Sequence, residues 1–205
     1  MAAPKLDPDA SLVEACQAQT VSGLEGPFRT LYNQYKDRVY NVCYRVTGNA
    51  TDALDASQET FGILFRKIGG FRFQSRFSSW VYRIAINASI DLKRRQNPRR
   101  LASLEAITSS EEGEGTRFDL EDPTADLPAE VASRRELESE VQRAISRLSP
   151  KLRSITVLRY IESLSYDEIA ESLDISLGTV KSRLSRAHAA MDRELTPVLH
   201  KHYLG

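Results

Sequence analysis

Long apolar runs are missing from this 205-residue chain. No stretch approaches the length needed to cross a bilayer, and the opening MAAPKLDPDASLVEAC has no apolar core of signal-peptide length. Neither membrane insertion nor export is expected. Cysteine is scarce: Cys16 and Cys43 cannot build a disulfide framework for a chain this long, and no CxxC or His-rich cluster accompanies them. Cys43 falls on an apolar helical stripe and reads as a buried free thiol, which fits a reducing cytoplasm. A Walker-type phosphate loop is absent, as is any segment with the sustained period-two alternation of a strand. No metal or cofactor is expected. An excess charge of either sign is lacking too, since 28 basic and 28 acidic residues cancel to +0.

That balance hides an asymmetry. Arg66 to Arg100 holds ten Lys/Arg against one acid, Asp91, for +9, whereas Ser103 to Glu140 holds twelve acids against three Arg, for −9. Adjacent blocks of opposite sign point to segments with different partners.

Helical periodicity fills most of the rest. A short helix is expected over Asp9 to Gln19. Phe28, Leu31, Tyr32, Tyr35, Val39, Val42, Cys43 and Val46 recur at three- and four-residue steps, and Gly48-Asn49 ends that helix. A second long helix spans Thr51 to Ile68, with Leu54, Phe61, Phe65 and Ile68 expected on its inner face and Gly69-Gly70 stopping it. FSSWVYRIAINASIDLKRR forms a third, with Phe77, Val81, Ile84, Ala88 and Leu92 inward, up to Pro98. From Arg99 to Pro128 the pattern dissolves. SSEEGEGTRFDLEDPTADLP is acidic and poor in large apolar residues apart from Phe118 and Leu120, so it reads as a flexible linker.

A second helical unit follows. Its first helix covers Val131 to Leu148, and Ser149-Pro150 is a cap and first-turn proline for the next, which carries Leu152, Ile155, Leu158 and Arg159 to Ile161. Ser165 and Glu168 have capping-box spacing, starting a helix through Leu173. Ser176 caps the last helix, Leu177 to Leu195, and Pro197 follows. The fold class is therefore all-α. Two small helical domains, an N-terminal bundle and a C-terminal four-helix domain with a helix-turn-helix, are joined by a flexible acidic linker. The boundaries are 9–97, 98–128 and 129–199.

The helix-turn-helix is the most informative local pattern. Ile169, Ala170, Leu173, Ile175, Val180 and Leu184 form its small core, leaving Lys181, Ser182, Ser185 and Arg186 outward. Such a helix fits the major groove, where Lys or Arg reads guanine edges. Gly178 and Thr179 bring backbone N–H groups close to a phosphate. An ordinary hairpin with a solvated basic face is the plainer alternative.

From about Asp9 to Leu195 the chain resembles a family, the linker matching only in position and acidity. LSPKLRSITVLRYIESLSYDEIAESLDISLGTVKSRLSRA resembles the C-terminal domain of extracytoplasmic-function (ECF, group IV) sigma factors of the sigma-70 family. DALDASQETFGILFRKIGGF is similar to their core-binding helix, and FSSWVYRIAINASIDLKRR to their promoter-melting helix. The resemblance implies a bacterial sigma factor, not itself an enzyme, acting in the cytoplasm. It would bind core RNA polymerase at the largest-subunit clamp helices and the flap, direct it to promoters and promote opening. Residues 9–97 would be the region 2-like domain and 129–199 the region 4-like domain.

By the same resemblance, core polymerase binding falls to Asp52, Asp55, Gln58 and Glu59; the three acids cluster opposite the apolar stripe. Minus-10 DNA, melted to single strands, would meet Phe71, Arg72, Phe73, Gln74, Ser75, Arg76, Trp80 and Asn87, with Lys93, Arg94 and Arg95 on phosphates. Phe71 and Trp80 are either base platforms or core. Duplex minus-35 DNA would meet Thr179, Lys181, Ser182, Arg183, Ser185 and Arg186, though Arg183 could instead tie the helix to its own domain. His188 stands where a second Arg often occurs. The linker would thread the basic polymerase cleft or serve as a plain tether. An anti-sigma factor is a further expected kind of partner. The alternative is a stand-alone helix-turn-helix regulator, which leaves the acidic face and aromatic loop unexplained. An enzyme finds no support, because Asp167/Glu168 and His200/His202 lack supporting groups.

Overall fold

The computed structural model describes residues 7–18, 25–96 and 129–203, with the side chains of 25, 129–135 and 198–203 outside the description. The described residues are helical, with no strand among them. The linker reading, with Phe118 and Leu120, lies outside the described residues.

The first region consists of α1 (Ala10–Ala18), α2 (Glu25–Thr47), α3 (Ala50–Lys67) with a 3₁₀ turn at Ile68–Gly70, and α4 (Phe77–Gln96). Gly48 adopts φ 73°, the left-handed conformation that ends α2, and the Asn49 side chain caps α3 by accepting the Asp52 N–H at 3.0 Å. The expected stripe of α2 is buried at Leu31, Tyr35, Val39, Val42, Cys43 and Val46, but Tyr32 is exposed. On α3 the expected inner face holds at Phe61 and Ile68 and is corrected at Leu54 and Phe65. Leu54 is 51% and Phe65 39% exposed, and the buried face is Ala53, Ala56, Ser57, Thr60, Phe61, Leu64 and Ile68. Four small side chains let α3 approach its neighbours closely, which turns that face inward and leaves Leu54, about 100° round the helix from Ala53, outside. Both thiols are buried, and burial pushes Cys43 up to about 11 despite hydrogen bonds from Ser89 and Thr60 that work the other way.

The second region has α5 (Ala129–Arg147), α6 (Pro150–Thr156) continued by a π-helical turn at Val157–Ile161, α7 (Tyr166–Leu173) and α8 (Leu177–Tyr203). Ser149 stands at the N-cap of α6, with Pro150 in the first turn, but its side chain makes no capping bond. The Ser165–Glu168 capping box is complete. One expectation fails: α8 does not stop before Pro197 but runs through it. The ring deprives the Arg193 carbonyl of its helical donor, yet both residues are exposed, where water can supply one.

The two regions pack against each other, and their buried side chains form one continuous core. Arg45 of α2 bonds Gln142 of α5 at 2.9 Å. Arg83 of α4 donates to the Ser172 carbonyl at 3.0 Å and to that of Glu171, capping the C-terminal end of α7. The Tyr82 hydroxyl joins Glu162 and Arg38 in a third cross-region contact.

Burial raises the Glu162 carboxyl above its usual range, outweighing the bond to Tyr82 and the Arg38 charge, which lower it. A group raised in the folded state contributes stability below its unfolded value, and that contribution is lost as pH rises through the folded value. Asp52, held low, behaves oppositely and weakens the fold only as pH falls through its depressed value. Between about pH 7 and about pH 5, wild-type protein should therefore gain thermal stability relative to Glu162→Gln. Parallel melting curves for the two proteins across that range would contradict this.

Candidate functional site

Three surfaces carry the residues singled out by sequence. The first lies between α3 and α4. Asp55, Gln58 and Glu59 are exposed on α3. Asp55 and Glu59 line an open groove of about 360 Å³ together with Ile63, Asn87, Asp91 and Arg95. Glu59 makes a loose pair with Arg66 at 3.4 Å, worth little at such exposure. Asp52 is different. Its carboxylate accepts Lys93 at 2.7 Å and Gln96 at 2.8 Å, both from α4. Burial opposes its charge, but these bonds and the Lys93 ammonium hold the carboxyl below its usual range. A residue expected at the polymerase thus pairs with one expected at DNA, pinning the end of α4 to the start of α3. Arg94 pairs with Asp91 at 3.0 Å, and Arg95 is exposed.

The second surface is the loop from Phe71 to Arg76. Phe71 is 9% exposed and packs between Phe77, at 5.6 Å, and Trp80, at 4.9 Å. Its ring is an anchor rather than an open platform. Trp80 is half-buried in the same cluster. Phe73 is the outward ring, 38% exposed and stacked edge-on against Phe71 at 5.0 Å. It sits at φ 54°, a left-handed conformation unusual for an aromatic residue and often associated with functional loops. Arg72 and Gln74 are exposed, and Ser75 is half-buried. Arg76 makes an ion pair with Glu168 of α7 at 2.7 Å, so it can reach DNA only by leaving that partner. Asn87 lies ten residues beyond Phe77, about 15 Å along the helix. The structure groups it with Asp55 and Glu59 rather than with the loop.

The third surface is the helix-turn-helix, α7 and α8. Asp174 ends α7 in the left-handed conformation, φ 53°, ψ 51°, and the Ile175 N–H returns to the Ala170 carbonyl at 3.0 Å. Ser176 caps α8 through the Thr179 N–H at 3.1 Å. Ile169, Val180, Leu184 and Ala187 are buried in the angle between the helices, with Ala170, Leu173 and Ile175 packed around them. Lys181, Ser182, Ser185 and Arg186 are exposed along one face of α8, with Ser182 donating to the Thr179 carbonyl. Thr179 and Arg183 are half-buried; burial and then the Arg186 charge lower the Arg183 guanidinium from its ordinary value. His188 contacts Tyr160, with ring centroids 5.5 Å apart.

Sequence reasoning missed several residues that shape these surfaces. Arg83 and Glu168 join the loop helix to α7, and Gln17 and Asp7 touch the backbone around the loop. Glu168 was legible only as the capping-box partner of Ser165, and Arg83, Gln17 and Asp7 belong to no local pattern that could have revealed them.

Residues 31–99 match the family model Sigma-70 region 2, and residues 138–191 match Sigma-70, region 4. The chain is 36% identical to ECF RNA polymerase sigma factor SigW of Bacillus subtilis over 86% of its own length and 93% of that protein. It is 33% identical to RNA polymerase sigma-H factor of Pseudomonas aeruginosa, over 94% and 96% of the two chains. The fold is similar to that of CnrH in complex with the cytosolic domain of CnrY, with TM-score 0.62 and 25% identity over 93% of this chain and 99% of that one. It is also similar to the sigma factor RpoE in complex with the anti-sigma factor NepR from Bartonella quintana, with TM-score 0.59 and 18% identity over 82% and 96%. With both region models matched in order, and relatives aligned over nearly their full length, the chain belongs to the ECF sigma factors of the sigma-70 family.

Proposed function

We propose that the chain is a promoter-specificity subunit of bacterial RNA polymerase. It binds core enzyme, directs it to particular promoters and promotes their opening, and it performs no covalent chemistry itself. The observation that carries this reading is the joining, in one member of this family, of an exposed acidic face on α3 and a capped helix-turn-helix with an exposed basic face on α8. Residues 9–97 serve core and minus-10 binding, 98–128 form the linker, and 129–199 serve minus-35 binding. The finer placement is in group IV, and the site of action is the cytoplasm; among the described residues no helix is long and apolar enough to cross a membrane. Asp55, Gln58 and Glu59 meet the clamp helices of the polymerase largest subunit, with Asp52 setting the pose of that face. Phe73 stacks on an unpaired minus-10 base, Phe71 and Trp80 support it from below, and Arg72, Gln74, Ser75, Arg76, Lys93, Arg94 and Arg95 follow the strand. Asn87 contributes from the groove between α3 and α4. Energy for opening comes from binding unstacked bases rather than from nucleotide hydrolysis. Lys181, Ser182, Arg183, Ser185 and Arg186, with Thr179 at the helix start, face duplex minus-35 DNA. An anti-sigma factor is a proposed partner by analogy with the solved sigma factor RpoE in complex with the anti-sigma factor NepR.

Transcription from a randomised promoter library, with purified core polymerase, tests the reading. Wild-type protein should select a two-element promoter. Arg186→Ala should lose ~1–3 kcal/mol of discrimination at one minus-35 position. Uniform weakening at all positions would reduce Arg186 to a phosphate contact. No selected sequence at all would remove the reading.

A further inference from the structure

The loop from Phe71 to Arg76 has little to hold it in its own sequence. Its main-chain bonds within the segment are sparse, and Phe73 occupies a backbone conformation that an aromatic residue rarely adopts. Beside the Arg76–Glu168 ion pair, restraint comes from α1 and the turn before it. The Gln17 amide donates to the Ile68 carbonyl at 3.0 Å and to the Phe71 carbonyl at 2.8 Å, fastening the start of the loop. At the other end, Asp7 accepts the Phe77 N–H at 2.6 Å, which caps α4 from a distant part of the chain. Asp7 also accepts the Asp9 N–H at 3.1 Å, and Asp9 in turn accepts Gln34 at 2.5 Å and the buried Tyr35 hydroxyl. Val13 and Cys16 are buried on the same short helix, anchoring it to the bundle.

We infer that α1 and the turn leading into it brace both ends of the aromatic loop, and that Gln17 and Asp7 are positioning residues for capture of an unpaired base by Phe73. This rests on the minus-10 reading of the loop. Neither residue touches DNA; each acts through the backbone that presents Phe73.

The test uses full-length protein. Trp80, the chain's sole tryptophan, lies against Phe71, so its emission reports the loop without any DNA. Gln17→Met keeps the length of the side chain but removes both donors, and Gln17→Lys restores donor capacity. With core polymerase, permanganate reactivity of the minus-10 thymines should appear about tenfold more slowly for Gln17→Met and for Asp7→Ala, the equivalent of one or two net hydrogen bonds. Duplex minus-35 binding should be unchanged, Trp80 emission should shift to the red, and Gln17→Lys should recover both. Phe73→Ala separates the two levels of the claim. If Phe73→Ala slows opening but Gln17→Met does not, the brace is overturned and the loop reading stands. If Phe73→Ala opens promoters at the wild-type rate, the loop reading itself falls. Equal losses of thermal stability, minus-35 binding and opening in Gln17→Met would make Gln17 an ordinary packing residue and also overturn the brace.

Discussion

Arg153→Ala should destabilise the folded chain by about 3–5 kcal/mol, more than a typical surface or cap substitution. The Arg153 side chain is buried, and its guanidinium serves four backbone carbonyls. It donates to Ile145 at 3.1 Å, Leu148 at 3.0 Å, Ser146, and Val46 of α2 at 2.7 Å. The first three lie at the end of α5, where Ile145 also takes the Leu148 N–H at 3.1 Å, and the fourth lies near the end of α2, so one side chain ties two helix termini in different regions. Burial lowers the guanidinium to about 10, which still leaves it charged at neutral pH. Truncation would take a donor from each of four carbonyls at a buried seam, of which Ile145 keeps the Leu148 N–H. Arg153→Lys should recover only part of the loss, because an ammonium cannot span the positions reached by a planar fork. Denaturant titration of both variants measures the effect. A loss below about 1 kcal/mol for Arg153→Ala would mean that the carbonyls find other donors easily.

Asp55→Lys combined with Glu59→Lys should weaken the complex with core polymerase by at least about a hundredfold, while leaving the melting temperature nearly unchanged. Both side chains are exposed and neither supports the core. Like charges set against an interface that expects acids cost several kcal/mol, whereas the Arg66 pair lost with Glu59 contributes little. Native gels and equilibrium binding with purified core enzyme report the first quantity, and thermal denaturation the second. Undiminished binding would move the contact face elsewhere on the bundle. The exposed Leu54 and Phe65 would then be the first residues to examine.

Local patterns were legible because their physics is local. The Ser165–Glu168 capping box, the Ser176 cap, the Gly48-Asn49 break and the inward set of the helix-turn-helix each depend on residues within one or two helical turns. Periodicity identified α3 as a helix and placed Phe61 and Ile68 inward correctly, but it wrongly added Leu54 and Phe65 to that face. Its apolar residues cover a wide arc, and only the small side chains at Ala53, Ala56, Ser57 and Thr60 determine where a neighbour can come close. Pro197 misled for a related reason: on an exposed helix the missing bond is replaced by water, so the penalty need not end the helix. The placement of Phe71 and Trp80, open in the sequence, came from packing against Phe77, which leaves Phe71 buried and Trp80 half-buried.

Composition, periodicity and motif resemblance were enough to establish that the fold class is all-α, that charge is divided between a basic and an acidic block, that the chain carries a helix-turn-helix with an outward basic face, and that its motifs follow the order of one family. Tertiary structure alone decided that Arg153 clasps the Val46 carbonyl, that Arg76 rests on Glu168, that Asp52 binds Lys93, and that Gln17 and Asp7 hold the aromatic loop from outside. These partners lie between 41 and 107 residues apart in the chain. At such separations no periodicity links the two residues, and only the packing of helices, driven by burial of a shared core, brings them within a hydrogen bond's reach.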